Sequence, residues 1–553
     1  MALDGRSNEF FQDASMSDLE HKKFSVKAIF SLLFWLALAA IYVLGSLAAL
    51  KTPYVVDTET EQKTLRINID AVSGLLHGDR RGYQTLHDYQ DKYYGIGFHA
   101  PAYLVQKLLE KPVARLFKVS EYDAFLLVKH WLTFNLFFAS AILILWLSRR
   151  IVGDEGFSRL ATLCYLLWPY LLGQSLLNVK DVPFLFGWLL CSCLSYLILE
   201  RYRRGQNIGR YFIGILAVCT GWLISVRVAG ILIFLQYAIT FFVARKYSAG
   251  QQNISSMLKR FHLPIFFISL VVFVILAYPI LWLNPIDVLW AILYMSRHPM
   301  GYYGHTNLTF GMRMPAGDLP LIYIPAWLAV KLPIMIILGY LALPLTFARI
   351  GKDETDRVFF RAMFYTSVIV PALLSLLGVV LYNELRQLLF LMPLYFLVGV
   401  ISLYGFSRRL SMALLVVAIC IFIIDNFMAF PYQYVWFNEV ARQFKVERYF
   451  ETDYWGSSGK PMAKLVTSGH KTYPTACMYV QPDLIFRNFL EHELLTCIKT
   501  TFDAPPPRPF LFANYIRDES PGFPSDCIEI GREKFHLFMG NGDITLAKVM
   551  YCK

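Results

Sequence analysis

The sequence lacks the glycine-rich loop that binds nucleotide phosphates, and it also lacks the dinucleotide glycine fingerprint. A soluble nucleotide-sugar or ATP site is therefore not indicated. It has no internal repeat and no low-complexity linker, so there is no sign of duplicated halves. Of its nine cysteines, the four after residue 429 have a spacing that fits no zinc-binding pattern. These absences leave the hydrophobic pattern as the main guide to what the chain is.

Hydrophobic residues dominate the chain. Of its 553 residues 56% are hydrophobic and 16% aromatic, whereas an ordinary soluble protein is about 45–50% apolar. This composition predicts a polytopic α-helical membrane protein. The formal net charge of +12 would indicate a nucleic-acid partner in a soluble protein, but here the basic residues form short clusters between apolar spans. We interpret the charge as membrane topology and predict no nucleic-acid partner.

Hydropathy predicts about eleven transmembrane helices between residues 28 and 428. The first apolar run, 28–50, is too long for a signal-peptide core, and it follows a polar N-terminal segment, 1–27. The other predicted spans lie near 131–148, 156–174, 182–200, 211–225, 228–244, 262–284, 326–347, 362–382, 387–406 and 411–428.

Clusters of lysine and arginine follow alternate spans, so all of them share one predicted face. They are Lys22, Lys23 and Lys27; Arg149 and Arg150; Arg201, Arg203, Arg204 and Arg210; Arg245, Lys246, Lys259 and Arg260; Arg349, Lys352, Arg357 and Arg361; and Arg408 and Arg409. By the positive-inside rule this face is cytoplasmic, with the N-terminus. The large first loop, 51–128, and the tail from 429 onward are then exoplasmic.

The tail, 429–553, is long enough for a small α/β domain. It contains strand-like runs such as Met478-Tyr479-Val480 and Phe510-Leu511-Phe512. In an oxidising compartment its four cysteines permit two disulfides, whose pairing the sequence leaves open. These cysteines are Cys477, Cys497, Cys527 and Cys552.

The stretch 178–184, Asn-Val-Lys-Asp-Val-Pro-Phe, places Lys180 and Asp181 at the edge of a hydrophobic span. A bare charge at the bilayer centre costs roughly 2.5–3.5 kcal/mol on insertion scales, so the pair needs a reason. One interpretation is that both residues cap the following helix, with Pro183 in its first turn. The other is that Asp181 faces a pocket at the membrane surface and Lys180 binds an anionic group there.

Two arginines favour the second interpretation. Arg227 interrupts an apolar run where the chain reverses on the outer side, and Arg386 stands at the start of a later span. Either arginine alone is compatible with snorkelling to the interface, and Glu384 is a candidate structural partner for Arg386. Together with Lys180 they predict a phosphate site, because guanidinium groups bind phosphate oxygens bidentately and lysine adds a point charge.

The first loop holds candidate general bases. Asp88 and Asp91 are three residues apart, and the apolar spacing of 88–109 predicts a helix that would place them on one face. Asp91 is the preferred base, with Asp88 as the fallback. The loop 296–323 contains two histidines, including His298, but no carboxylate or cysteine at ligand spacing, so we predict no metal site.

In their order and spacing these stretches resemble a known family, the C-type glycosyltransferases (GT-C) of the protein-O-mannosyltransferase and aminoarabinose-transferase group. The resemblance is strongest to bacterial members that use a polyprenyl-phosphate sugar, and it spans roughly 85–470. The pieces that carry it are 91–95 with Phe98; 178–184, which resembles Asn-x-Lys-Asp-x-Pro-Phe; 319–325 with 331–333; and 430–434 through 437–438 to 453–456.

The resemblance implies a GT-C fold in a bacterial inner membrane. It implies sugar transfer from an undecaprenyl-phosphate-like donor to an envelope glycan, lipid or protein, on the exoplasmic face and without a required cofactor. Asp91 matches the position of the base, with Asp181 as a second acidic position. Lys180, Arg227 and Arg386 match basic positions near the lipid phosphate. The further candidates for substrate contact are Tyr94, His99, Asn178 and His298.

The chain departs from the family pattern at His99, at Lys129 before His130, and at Gln387 after Arg386. It also lacks the paired Asp-Glu of the eukaryotic mannosyltransferases. These departures leave open the acceptor and the choice of base. The main alternative is a secondary transporter of a polar or anionic solute, but the predicted charges sit at one surface and no halves repeat.

Overall fold

The structure is a computed structural model of the whole chain. It describes residues 7–52, 55–246, 262–287, 290, 306–480, 498–500, 505–516 and 525–553. The predictions for His298 and Cys497 fall outside these residues.

Helices form most of the chain up to residue 429. They are α1 (Ser7–Ala49), α2 (Val56–Leu76), α3 (Arg81–Asp88), α4 (His99–Phe117), α5 (Glu121–Val152), α6 (Glu155–Leu167), α7 (Pro169–Leu177), α8 (Asp181–Arg203), α9 (Arg210–Val226), α10 (Ile233–Lys246), α11 (Leu263–Ala277), α12 (Tyr323–Lys331), α13 (Ile334–Thr346), α14 (Glu354–Leu376), α15 (Met392–Phe406) and α16 (Arg408–Ala429). Short 3-10 helices precede α10 (Val228–Leu232) and α15 (Arg386–Leu391), and another follows α11 (Pro279–Leu281). A hairpin of two strands, β1 (Thr306–Thr309) and β2 (Met312–Pro315), precedes α12.

Each of the eleven predicted spans coincides with an apolar helix or helix pair. Among the described residues, seven helices are long and apolar enough to cross a membrane. They are Ala28–Ala49, Glu121–Val152, Asp181–Arg203, Val228–Lys246, Glu354–Leu376, Arg386–Phe406 and Arg408–Ala429. Two bent pairs, α6 with α7 and α12 with α13, raise the number to nine, and α9 and α11 are shorter apolar helices. The predicted polytopic helical architecture is confirmed.

The basic clusters at 149–150 and 201–204 lie at one end of these helices. Arg203, at the C-terminal end of α8, pairs with Glu354 at the start of α14, and Arg150 at the end of α5 pairs with Glu200 at 3.2 Å. Asp181, the first residue of α8, therefore lies at the opposite end of the helices.

The predicted helix over 88–109 is wrong in its first half. α3 ends at Asp88 and α4 begins at His99, and a loop joins them. Glycines explain the break, because the loop packs directly onto the end of α9. A Cβ at Gly95 would lie 1.9 Å from the carbonyl oxygen of Ser225, and the Gly97 amide donates to that oxygen at 2.9 Å. Asp88 and Asp91 consequently do not share a helix face.

The segment 430–455 packs in the same core as the apolar helices. Tyr434, Trp436, Phe437 and Trp455 are all buried there, although the sequence assigns them to the C-terminal domain. The composition changes at residue 429 because α16 ends there, but the chain continues to pack against the apolar helices as far as Trp455.

The C-terminal unit is a five-stranded mixed sheet with one helix, α17 (Gly459–Thr472). Its strands are β3 (Cys477–Val480), β4 (Ile498–Thr500), β5 (Phe510–Tyr515), β6 (Ile528–Phe535) and β7 (Ile544–Cys552), in the spatial order β4-β3-β5-β7-β6. β3 pairs in parallel with β4 and β5, whereas β7 is antiparallel to β5 and β6. The predicted small α/β domain and both predicted strands are confirmed. Cys527 is disulfide-bonded to Cys552, and Cys477 is also disulfide-bonded.

A buried ion pair ties this unit to the last apolar helix. Arg442 binds Asp425 of α16 through both of its terminal nitrogens, at 3.0 and 2.7 Å. The backbone N–H of Phe538, between β6 and β7, donates to the same carboxylate at 2.8 Å, and the Phe538 carbonyl accepts from Arg442 at 2.7 Å. The sheet is therefore held against the end of α16.

Candidate functional site

Three basic residues from separate segments meet at one end of the apolar helices. Lys180 immediately precedes α8, Arg227 lies between α9 and the next 3-10 helix, and Arg386 begins the 3-10 helix before α15. Each one pairs with a carboxylate of the same group. The structure thus brings together the three cations that the sequence predicts for a phosphate site.

Asp181 joins two of these cations. Its Oδ2 accepts from Arg386 Nε at 2.9 Å and from Asn178 Nδ2 at 3.0 Å, and its other oxygen pairs with Arg227. Asn178 accepts in turn from the Asp181 backbone N–H at 2.8 Å, which forms a turn at the start of α8. Asp181 therefore both starts a helix and holds two arginines, so the two interpretations of this stretch are compatible.

Glu61 holds the third cation. Its Oε1 lies 2.6 Å from Lys180 Nζ, and its Oε2 lies 3.1 Å from His99 Nε2. Burial by itself raises the pKa of Glu61, but Lys180 and His99 outweigh burial and lower that pKa below its ordinary value. Burial also lowers the pKa of His99, although Glu61 opposes this shift. The Tyr94 ring lies under Lys180, with its centroid 3.2 Å from Nζ.

Asp57 and Glu61 belong to the group, although the sequence analysis did not single them out. Both lie on α2, one helical turn apart, and Asp57 pairs with Arg386. Their i,i+4 spacing is the signal that places them on one face of a helix. Glu59 lies on the same helix but outside the group. Helical spacing alone therefore does not tell which acidic residues of α2 face the cations.

Asp91 lies beside this group on the loop that the glycines fix against α9. The side chain is half-buried, and burial raises its pKa. The negative charge of Glu61 raises this pKa further, whereas Lys180 opposes the rise. A carboxylate with a raised pKa is a better proton acceptor near pH 7 than an ordinary aspartate.

The structure leaves Asp88 outside the group. Its side chain is 65% exposed, and it accepts hydrogen bonds from Gln84 at 2.9 Å and lies 3.2 Å from His87. These neighbours lower its pKa, the Gln84 hydrogen bond most. The geometry therefore favours Asp91 over the fallback.

The backbone before Arg386 has an unusual conformation. Asn383 and Glu384 both have positive φ, 58° and 62°, in the left-handed region that non-glycine residues rarely adopt. Asn307 holds this turn, accepting from the Asn383 N–H at 3.0 Å. The suggestion that Glu384 partners Arg386 is wrong, because Glu384 pairs with Lys331 at 3.0 Å and Arg386 with Asp181 and Asp57.

An apolar cavity of about 310 Å³ begins beside Arg227. Ile224, Val228 and Tyr93 contribute to its wall. A second apolar cavity, of about 280 Å³, shares Phe234 with the first and continues between α8, α9, α10 and α11 as far as Ala244. Charged groups at one end of the helices and an apolar path leading away from them suit a ligand with an anionic head and a hydrocarbon chain.

Within the described ranges, no group of three or more His, Cys, Asp or Glu side chains is arranged to hold a metal ion. Asn178 and His99 bind Asp181 and Glu61, so their visible role is to orient those carboxylates. The predicted contacts of Tyr94, His99 and Asn178 with substrate stay predictions.

No family model matches the chain, and no curated protein is significantly similar to it. Among solved structures, the crystal structure of ArnT from Cupriavidus metallidurans bound to undecaprenyl phosphate is similar. The similarity covers 94% of this chain and 98% of that chain, with 12% sequence identity and a TM-score of 0.45. A likeness at this TM-score carries no argument about activity, for which the geometry of the site is the basis.

Proposed function

We propose that this chain is an integral-membrane glycosyltransferase of the GT-C type. It transfers a sugar from a polyprenyl-phosphate donor to an acceptor at the membrane face that carries the three cations. The observation that carries this proposal is the convergence of Lys180, Arg227 and Arg386 at helix ends beside the half-buried Asp91. Buried ion pairs contribute little to stability, so an anionic ligand explains such a group better than folding does.

In this proposal the lipid phosphate binds to the three cations. Their present partners are Asp57, Glu61 and Asp181, so the phosphate exchanges with a carboxylate as it binds. Asp57 is the most accessible of the three: its side chain is 24% exposed, compared with 4% for Glu61 and 2% for Asp181. Exchange at Arg386 therefore requires the smallest rearrangement.

The polyprenyl chain occupies the apolar cavities that start beside Arg227. Their walls are almost entirely hydrocarbon and aromatic, formed by residues such as Ile224, Phe234 and Leu270. Burial of apolar surface contributes about 25 cal/mol per Å², which suits a long isoprenoid chain. The phosphate then lies at the end of the cavities where Arg227 stands.

Asp91 acts as the general base. It takes the proton of the acceptor hydroxyl while the hydroxyl oxygen attacks the anomeric carbon of the sugar. The bond from that carbon to the phosphate oxygen breaks, and the electron pair leaves with the lipid phosphate, whose added charge the three cations stabilise. A single displacement inverts the anomeric centre, and the phosphate ester already activates the donor, so no cofactor takes part. Asp57, also partly exposed, is the second carboxylate to test as the base.

The acceptor in this proposal is an envelope glycan, lipid or protein, and the reacting face is the exoplasmic side of a bacterial inner membrane. The bacterial character of the sequence resemblance supports the location. The disulfide between Cys527 and Cys552 also supports it, because disulfides persist in oxidising compartments.

The test is transfer of radiolabel from a panel of polyprenyl-phosphate sugars into membrane fractions by the purified protein. We expect one donor to be consumed, and Asp91→Asn to lower the rate about 10²- to 10⁴-fold, the usual contribution of a general base. Asp57→Asn is assayed in parallel, and Asp88→Asn is the matched control, since it makes the same change on the exposed side of the same loop.

Two outcomes would contradict the proposal or its assignments. If no donor is consumed while the protein moves a polar or anionic solute with an ion gradient, the chain is a transporter. If Asp91→Asn keeps full activity and Asp57→Asn loses it, Asp57 rather than Asp91 is the base.

A further inference from the structure

Two adjacent residues of α5, Lys129 and His130, form hydrogen bonds with side chains of α2. Lys129 Nζ donates to Gln62 Oε1 at 2.7 Å, and His130 Nε2 lies 2.9 Å from Thr58 Oγ1. All four side chains are buried, and Lys129 and His130 are completely so. Thr58 and Gln62 are one helical turn apart, so the two contacts together fix the rotation of α2 about its axis.

This rotation decides where the acidic face of α2 points. Each residue of an α-helix turns the chain by about 100°, because a turn takes 3.6 residues. Asp57 immediately precedes Thr58, and Glu61 immediately precedes Gln62. Holding Thr58 and Gln62 against α5 therefore directs both carboxylates toward Arg386 and Lys180.

The charge of Lys129 also needs a reason. A buried ammonium whose hydrogen-bond acceptor is a neutral amide is costly for the folded state. Lys129 lies behind the acidic face of α2, where the carboxylate of Glu61 attracts it and offsets part of this cost. After burial, the charge of Lys129 contributes to the lowered pKa of His99.

We propose that Lys129 is a positioning residue of the site: bound to Gln62, it fixes the rotation of α2. It touches neither the donor nor the acceptor. The expected effect on transfer rests on the proposed function. The contacts between α5 and α2 are a property of the fold, and their effect on α2 can be measured without any substrate.

The test is Lys129→Gln in the full-length protein. We expect backbone amide hydrogen exchange in α2 to rise at least about fivefold, because the helix loses one of these two contacts with α5. We expect kcat for transfer to fall at least about tenfold, because Asp57 and Glu61 are no longer held in one orientation. The melting temperature stays the same or rises, because the variant removes a buried charge.

Two further variants make the result specific. The exchange of both partners, Lys129→Gln with Gln62→Lys, keeps an ammonium–amide contact between the same helices and should restore protection of α2 and much of kcat. Lys107→Gln is the control, because Lys107 is an exposed lysine of the neighbouring α4, paired with Glu110. It should change neither quantity.

Unchanged exchange in α2 overturns the proposal, and so does a melting temperature that falls together with activity, since Lys129 would then serve stability alone. These results are distinguishable from failure of the proposed function. If the wild-type protein transfers no sugar, the enzyme assignment fails, but the exchange comparison still decides whether Lys129 holds α2.

Discussion

Lys180 with Glu61 and Lys331 with Glu384 are two buried ion pairs of the same residue types, and they differ in what surrounds them. Glu61 has two partners, Lys180 and His99, and its pKa is lowered. Glu384 pairs with Lys331, and burial raises its pKa to about 8 in spite of that lysine. The two pairs consist of the same residue types, but the surroundings lower the pKa of one glutamate and raise the pKa of the other.

The two lysines differ in the same way. Lys331 is fully buried, and aromatic rings surround it: the centroids of Phe437 and Tyr170 lie 4.1 and 5.1 Å from its Nζ. Lys180 has one ring below it and lies in the group with the partly exposed Asp57 and Asp91. Burial and charge alone do not mark a functional site. The partly exposed Asp57 and Asp91 give a ligand access to the charges around Lys180, and for this reason we propose the Lys180 pair, rather than the Lys331 pair, as part of the functional site.

The largest expected effect is on stability, at the enclosed pair. Lys331→Met should cost about 3 kcal/mol of the free energy of unfolding, because it leaves the Glu384 carboxyl buried without its contact to Lys331. The double variant Lys331→Met with Glu384→Leu should regain most of this loss, and thermal unfolding in detergent measures both. If the double variant is no more stable than the single one, the pair is not an isolated structural contact.

The next effect separates the two pairs by activity. Glu61→Gln should lower kcat/KM for transfer about 100-fold, or about 2.7 kcal/mol, because Lys180 loses the carboxylate that orients it. Glu384→Gln should change kcat/KM less than about threefold. Steady-state assays with the same donor measure both variants. Equal losses of kcat/KM in Glu61→Gln and Glu384→Gln would mean that transfer depends on both pairs, and that accessibility does not separate a functional pair from a structural one.

A smaller effect concerns pH. Asp91 must be ionised to accept a proton, so kcat/KM should fall as the pH drops through its pKa. Because burial raises that pKa, the fall should begin at a higher pH than for an ordinary aspartate, whose pKa is about 3.9. A profile of kcat/KM between about pH 4 and pH 8 measures it. A flat profile down to the ordinary value would remove Asp91 as the base.

The smallest effect is expected at Asp88. Asp88→Asn should leave kcat/KM within about twofold of wild type, because the side chain is exposed and its hydrogen bond from Gln84 lies within its own helix. Parallel assays of this variant and Asp91→Asn show whether transfer needs a carboxylate at position 91 in particular or depends equally on the carboxylate at position 88. A large loss at Asp88 would mean that the loop rearranges on substrate binding.

Much of this architecture was predictable because it follows from local pattern. Spans of about twenty apolar residues and clusters of arginine specify helices and their common end without tertiary information. Lys180, Arg227 and Arg386 were predictable as a group because charges at the edges of apolar spans are rare. The partners of these charges were not predictable in the same way.

Asp57 and Glu61 were missed because α2 is polar on several faces, and only packing against α5 selects the face that meets the cations. The helix over 88–109 failed for a related reason. The apolar spacing was helical, but the approach of Gly95 and Gly97 to Ser225 is a long-range contact that spacing does not reveal. The pairing of Glu384 with Lys331 instead of Arg386 is another long-range choice of this kind.

The tie between Asp425 and the C-terminal unit has a consequence for synthesis of the chain. Phe538, whose amide binds Asp425, is made 113 residues later. At about 5–20 residues per second this interval is on the order of 10 s, during which Arg442 and Trp436 hold the carboxylate of Asp425 without Phe538. Translation that stops before residue 538 therefore leaves Asp425 without the contact that ties α16 to the sheet.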